Sequence, residues 1–153
     1  MKTTYAEYLE QPKHLTIEQM ENIHHQILDE IADDEDAQEV YDEFVEKATK
    51  YAAIRAEWLL WSREVKMERD AYRTSCHNSI ILELNMLARW LKQNGKPAAW
   101  RDELGYEEDD RYNRKAIGDF ACYVVFINSI NAIKLILIHK EPLLTCSGSI
   151  FYT

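Results

Sequence analysis

Residues 37–65 place Ala37, Tyr41, Phe44, Ala48, Tyr51, Arg55, Trp58, Ser62 and Val65 at alternating steps of four and three. An α-helix brings such positions onto one face, because its 3.6-residue turn returns to the same side every three or four residues. The pattern predicts one long helix from about Ala37 to Met67 or beyond, with a heptad seam laid against neighbouring helices. Two of the nine seam positions, Arg55 and Ser62, are polar.

The rest of the chain agrees with a helical reading. Among 153 residues there are only 4 Gly and 3 Pro, too few for the many tight turns of an all-β fold. Hydrophobic residues make up 46% and charged residues 29%, the balance of an ordinary globular chain. The expectation is an all-α bundle of four main helices plus a short linking helix.

The elements can be placed from their start and stop signals. Thr16 and Gln19 have capping-box spacing, and Ile17, Met20, Ile23, Ile27, Leu28 and Ile31 follow at helical spacing through about Ala32. The run Asp33-Asp34-Glu35-Asp36 separates the first helix from the second, with Asp36 or Asp33 as the expected cap. The charged stretch Lys66 to Arg73 is the expected place for a bend. A third helix is expected from about Ser75 to Asn94, closed by Gly95. Pro97 opens a short helix, PAAWRDEL, ended by Gly105. A fourth main helix is expected from near Asp110 to about Ala132.

The composition changes at Ile133, which divides the chain into a bundle domain, 1–132, and an apolar tail, 133–153. The tail can extend the fourth helix, pair as a strand, or cover a patch on another subunit. Phe120 to Ile138 is almost long enough for a bilayer, but Asn128, Asn131 and Lys134 interrupt it, so no membrane span is expected.

Charge is unevenly spread. Residues 1–50 hold 14 Asp/Glu and 4 Lys/Arg, a net −10, while residues 51–153 hold 13 and 14, a net +1, giving −9 overall. Such a surface repels phosphate, which argues against nucleic acid, and suits a basic protein partner. The three cysteines, Cys76, Cys122 and Cys146, include no CxxC pair, and their odd number suits a reducing compartment. The first residues, MKTTYAEYLEQP, lack a signal-type apolar core, so the expected location is cytoplasmic.

Several motifs suggest chemistry, and the direction each one faces weighs on it. Glu18-x-x-Glu21 with Glu39-x-x-Asp42 resembles the magnesium-binding carboxylates of the all-helical nucleotide pyrophosphatases. However, the doubled Glu that opens that family's first motif is missing. Glu39, Asp42, Glu43 and Glu46 also fall opposite the Tyr41, Phe44, Ala48 stripe and should face water. Glu21-x-x-His24 is half of a di-iron motif without its second half. His24 lies on the apolar face of its helix, as a core histidine would. His24, Cys76, His77 and Cys122 have the donor types of a zinc site, though no spacing demands one. No catalytic residue and no cofactor are expected.

Arg55 is the most informative residue. A guanidinium in a seam needs an inward acid, and Asp119 and Glu83 are the candidates. A sharper reading makes Arg55, with His77 and Asp119, the lining of a pocket for an anionic ligand.

Apolar residues also exceed what one small bundle can bury. Leu82, Met86 and Trp90 form a second stripe on the side of helix three away from Ile80 and Leu84. Helix four has an apolar face, Ile117, Phe120, Val124 and Ile127, and a face of mostly small residues around Gly118 and Cys122. Asn128 and Asn131 lie near its apolar face and can fix register. Exposed stripes of this kind mark partner surfaces, and a homo-oligomer, most simply a homodimer, is expected.

The segments CHNSIILELNMLARWLK, WRDELG and RKAIGDFACYVVFINSINA together resemble a family of small uncharacterised bacterial proteins with an all-helical fold. The resemblance covers roughly residues 72–132. It implies a helical bundle and a bacterial source, and it carries no activity or site residues. The leading expectation is a non-enzymatic interaction or regulatory protein. The alternatives are a magnesium-dependent nucleotide hydrolase and an acidic, immunity-type binder of a basic protein.

Overall fold

A computed structural model describes residues 15–105 and 114–138. Its elements are α1 (Ile17–Ile31), α2 (Glu35–Trp58), α3 (Arg63–Gln93), the short α4 (Trp100–Glu103) and α5 (Arg114–Ile138). The fold is all-α, with no strand among the described residues.

α2 is the central element and packs on both α3 and α5. Its seam is the inside of the molecule. Ala37, Tyr41, Phe44, Ala48, Tyr51 and Trp58 are buried, and Phe44 stacks between Tyr41 and Phe120 with ring centroids 5.5 and 6.1 Å away. α3 contributes Ile80, Leu84, Leu87 and Leu91, and α5 contributes Ile117, Phe120 and Val124, all fully buried. α1 adds Met20, Ile23, Ile27 and Ile31. Ile17 and Leu28, grouped with that stripe by spacing alone, are exposed.

The turn chemistry follows the sequence at most ends. Thr16 and Gln19 form the reciprocal capping box at α1. At α3 the Gly95 N–H bonds to the Lys92 carbonyl and the Lys96 N–H to the Leu91 carbonyl, a Schellman closure with Gly95 at φ 83°. Gly105 ends α4 at φ 80°.

Four boundaries differ from expectation. α2 stops at Trp58, well before Met67, and the break falls at Leu59–Trp61, not in Lys66–Arg73. The cause is Ser62, whose hydroxyl accepts from the Val65 N–H at 3.3 Å and starts a new helix. A seam position thus serves as a cap. Second, α3 begins at Arg63, not Ser75, because Arg63–Arg73 is rich in helix formers. Arg69 also stacks over Trp61 and Tyr72, and Arg73 over Trp58, which fastens this stretch to the end of α2. Third, Asp34 caps α2 by accepting from the Ala37 N–H, whereas Asp36 lies inside the first turn. Fourth, α5 continues through Ala132 to Ile138, so the break in composition at Ile133 is not a helix end. The expected start near Asp110 and the remainder of the tail, 139–153, lie outside the described residues. No described helix is long and apolar enough to cross a membrane.

Two acids hold the α3–α4 connection: Asp33, through Lys96, and Glu30. Glu30 on α1 accepts from the Trp100 indole at 2.9 Å and from the Ala98 N–H at 3.1 Å. Ala98 adopts φ 47°, a conformation unfavourable for a residue with a Cβ, and this carboxylate helps to hold it.

Candidate functional site

Arg55 lies in the last turn of α2, where the seam reaches α5. Its Nη2 donates to Asp119 Oδ1, and its Nη1 lies 3.7 Å from Cys122 Sγ. Both charged side chains are half-buried, at 31% and 18% exposure, so the guanidinium is paired and keeps part of its hydration. Of the two acids proposed for this role, Asp119 takes it. Glu83 instead accepts from Lys47, a residue that sequence spacing did not single out.

His77 belongs to a different contact. It is buried on α3 with its ring centroid 5.1 Å from that of Tyr51, one turn before Arg55 on α2. Of the three candidate pocket residues, the structure therefore joins Arg55 to Asp119 and sets His77 against Tyr51.

The thiol of Cys122 is a poor nucleophile. Burial pushes its pKa up, and the nearby Arg55 guanidinium only partly offsets that. Cys76 is a free, half-buried thiol on α3.

His24 lies elsewhere, inside the α1–α2–α5 junction. Its Nδ1 is 2.8 Å from the Tyr41 hydroxyl, and Tyr123 meets its ring edge-on. Burial raises the Tyr41 pKa strongly, so the phenol keeps its proton. Burial, followed by the neighbouring His25, lowers the His24 pKa and favours the neutral ring. His24, Cys76, His77 and Cys122 are distributed among these separate contacts. Among the described residues, no three His, Cys, Asp or Glu side chains are grouped to hold a metal ion.

The carboxylates of the magnesium-type motif point outward. Glu39, Asp42, Glu43 and Glu46 are all exposed on α2, and Glu18 and Glu21 are exposed on α1. Glu18 and Glu21 border an open depression with Thr16, Gln19, Asn22 and His25.

The acidic turn between α1 and α2 is more organised than its composition suggested. Asp33 pairs with Lys96 at 3.0 Å, and Asp34 accepts from the Trp90 indole at 2.7 Å. These bonds hold both carboxyls below the usual range, chiefly through Lys96 for Asp33 and Trp90 for Asp34. With Glu35, Asp36 and Asn94 they line a shallow depression of about 550 Å³. The indole of an exposed Trp was the available signal, since its N–H usually finds an acceptor. Its partner lies 56 residues away.

The outer side of α3 carries exposed apolar side chains. Leu82, 58% exposed, and Met86, 43%, face away from buried Ile80, Leu84, Leu87 and Leu91, while Trp90, 36% exposed, lies on the flank with its indole bonded to Asp34. Near the α2–α3 junction, Leu59, Leu60 and Met67 are also open. On α5, Asn128 and Asn131 are exposed and so do not fix a register within the core.

No protein-family model, curated protein or solved structure matches this chain. The geometry is therefore the basis for a functional reading: polar pairs that close within the bundle, and apolar side chains that remain outside it.

Proposed function

We propose that this protein is a non-enzymatic interaction or regulatory module that acts as a homo-oligomer, most simply a dimer. The observation that carries this reading is the exposed pair Leu82 and Met86 on the side of α3 away from the core, continued on the flank by Trp90. Leaving Leu82 and Met86 in water is unfavourable, and their burial stabilises a complex. The polar residues of the interior favour a structural role: Arg55 closes on Asp119, and His24 on Tyr41.

Sedimentation of the purified protein tests the reading. The expected result is a species of twice the chain mass, converted to monomer by Leu82→Glu with Met86→Glu while the far-UV spectrum stays helical. A wild-type protein that remains monomeric at micromolar concentration overturns it.

A second reading is an acidic binder of a basic protein. It is favoured by twelve Asp/Glu and no Lys/Arg between residues 18 and 46, most of them exposed. A lysine-rich peptide should then bind at low salt and be lost on reversing Glu39, Asp42 and Glu43 to Lys. The magnesium-hydrolase alternative has less support, because its carboxylates lie on exposed faces and no three acidic or other ligating side chains are grouped among the described residues.

A further inference from the structure

The exposed face of α3 contains a second regularity that the core does not use. Ser75 and Leu82 are equally far from a midpoint between Asn78 and Ser79. So are Ala71 and Met86, Glu68 and Arg89, and Glu64 and Gln93. These positions fall on the side of the helix opposite Ile80, Leu84 and Leu91, and all eight are exposed. Their spacing is the same read in either direction, while their chemistry reverses. Acids and small residues come before the midpoint, and large apolar residues, a cation and an amide come after it.

Any helical face shows such spacing, but on a two-fold surface each residue must meet its mirror position on the other copy, so the complementary chemistry at these positions is what fits self-association. We infer that a second copy of this chain docks antiparallel along α3, about an axis passing between Asn78 and Ser79. Leu82 and Met86 of one copy then lie over the partner's Ser75 and the partner's Ala71, large against small. Arg89 lies against the partner's Glu68, and symmetry makes the same pair twice. A parallel arrangement would instead set Glu68 on Glu68 and Arg89 on Arg89, like charge on like charge. The face is long enough to act as an interface, because 31 helical residues extend about 46 Å.

This arrangement rests on the homo-oligomer reading above and specifies its geometry. The experiment combines charge swapping with cross-linking in the full chain. Glu68→Arg or Arg89→Glu alone should weaken the dimer about tenfold at low salt, since each creates two repulsive pairs, and the double variant should restore it to near wild type. In a background with Cys76, Cys122 and Cys146 replaced by Ala, and helicity checked, Ser79→Cys should link to itself through a short bismaleimide. Gln93→Cys should not, because antiparallel packing places its two copies about 43 Å apart. A dimer that links at both positions or at neither, or that the double swap fails to restore, overturns the arrangement and leaves the homo-oligomer reading standing. A wild-type monomer overturns both.

Discussion

The Tyr41 hydroxyl and Nδ1 of His24 share a hydrogen bond of 2.8 Å inside the junction of three helices. The pair explains how a histidine occupies an apolar face without charge. It also makes the fold sensitive to pH. The folded pKa of His24 is depressed below its ordinary 6.5. Its contribution to stability is therefore complete above about 6.5. It is lost as pH falls from there through the folded value, because the unfolded chain takes up the proton first. Urea unfolding at pH 7.5 and 5.5 should show a drop in stability that is smaller in His24→Gln. An equal drop in both proteins removes His24 as a source of the effect.

Removing the hydroxyl should also cost stability at neutral pH. Tyr41→Phe takes away the hydrogen-bond partner of buried Nδ1, with an expected loss of about 1–3 kcal/mol. Chemical denaturation measures it, and a loss below a few tenths of a kcal/mol would mean that the hydrogen bond is not maintained in solution.

Arg55 and Asp119 should behave as a coupled pair. Half-buried ion pairs with direct hydrogen bonds are worth about 1 kcal/mol, above the exposed average and below a fully desolvated pair. A double-mutant cycle with Arg55→Met and Asp119→Asn should give a coupling of that order. Additive single effects would show that the two side chains are independently solvated.

The two sides of α2 can be distinguished by stability. Phe44 is fully buried between Tyr41 and Phe120, and Phe44→Ala should cost about 3–5 kcal/mol. Glu43 is exposed one residue away, and Glu43→Ala should change stability by less than about 0.5 kcal/mol. Comparable losses at both positions would refute the assignment of inside and outside on which the reading of the acidic face depends.

Gly95 isolates a backbone effect. Its φ is 83°, and a Cβ built there meets nothing within 4 Å. Gly95→Ala should therefore destabilise through left-handed strain alone, by about 1–2 kcal/mol. A neutral result in thermal unfolding would show that the Schellman closure of α3 is dispensable.

Much of the architecture was legible because helical periodicity and end signals are local. The Ala37 to Trp58 stripe is buried as its spacing required, and the outward direction of Glu39, Asp42, Glu43 and Glu46 followed from the same repeat. The capping box at Thr16 and the stop at Gly95 each depend on residues within a few positions of one another. The break at Leu59–Trp61 was missed because Ser62 fits two patterns, a seam position and an N-cap, and only the surrounding packing selects one of them.

The sequence by itself determined the all-α class and the inward face of α2, since both depend on contacts within a turn or two of the chain. Tertiary structure decided the partners: Asp119 and not Glu83 for Arg55, Lys47 for Glu83, Tyr41 for His24, and Glu30 for Trp100. These pairs join residues 17 to 70 positions apart. Which acid meets which base depends on how helices cross and how far each slides along its neighbour, and local spacing does not encode either quantity.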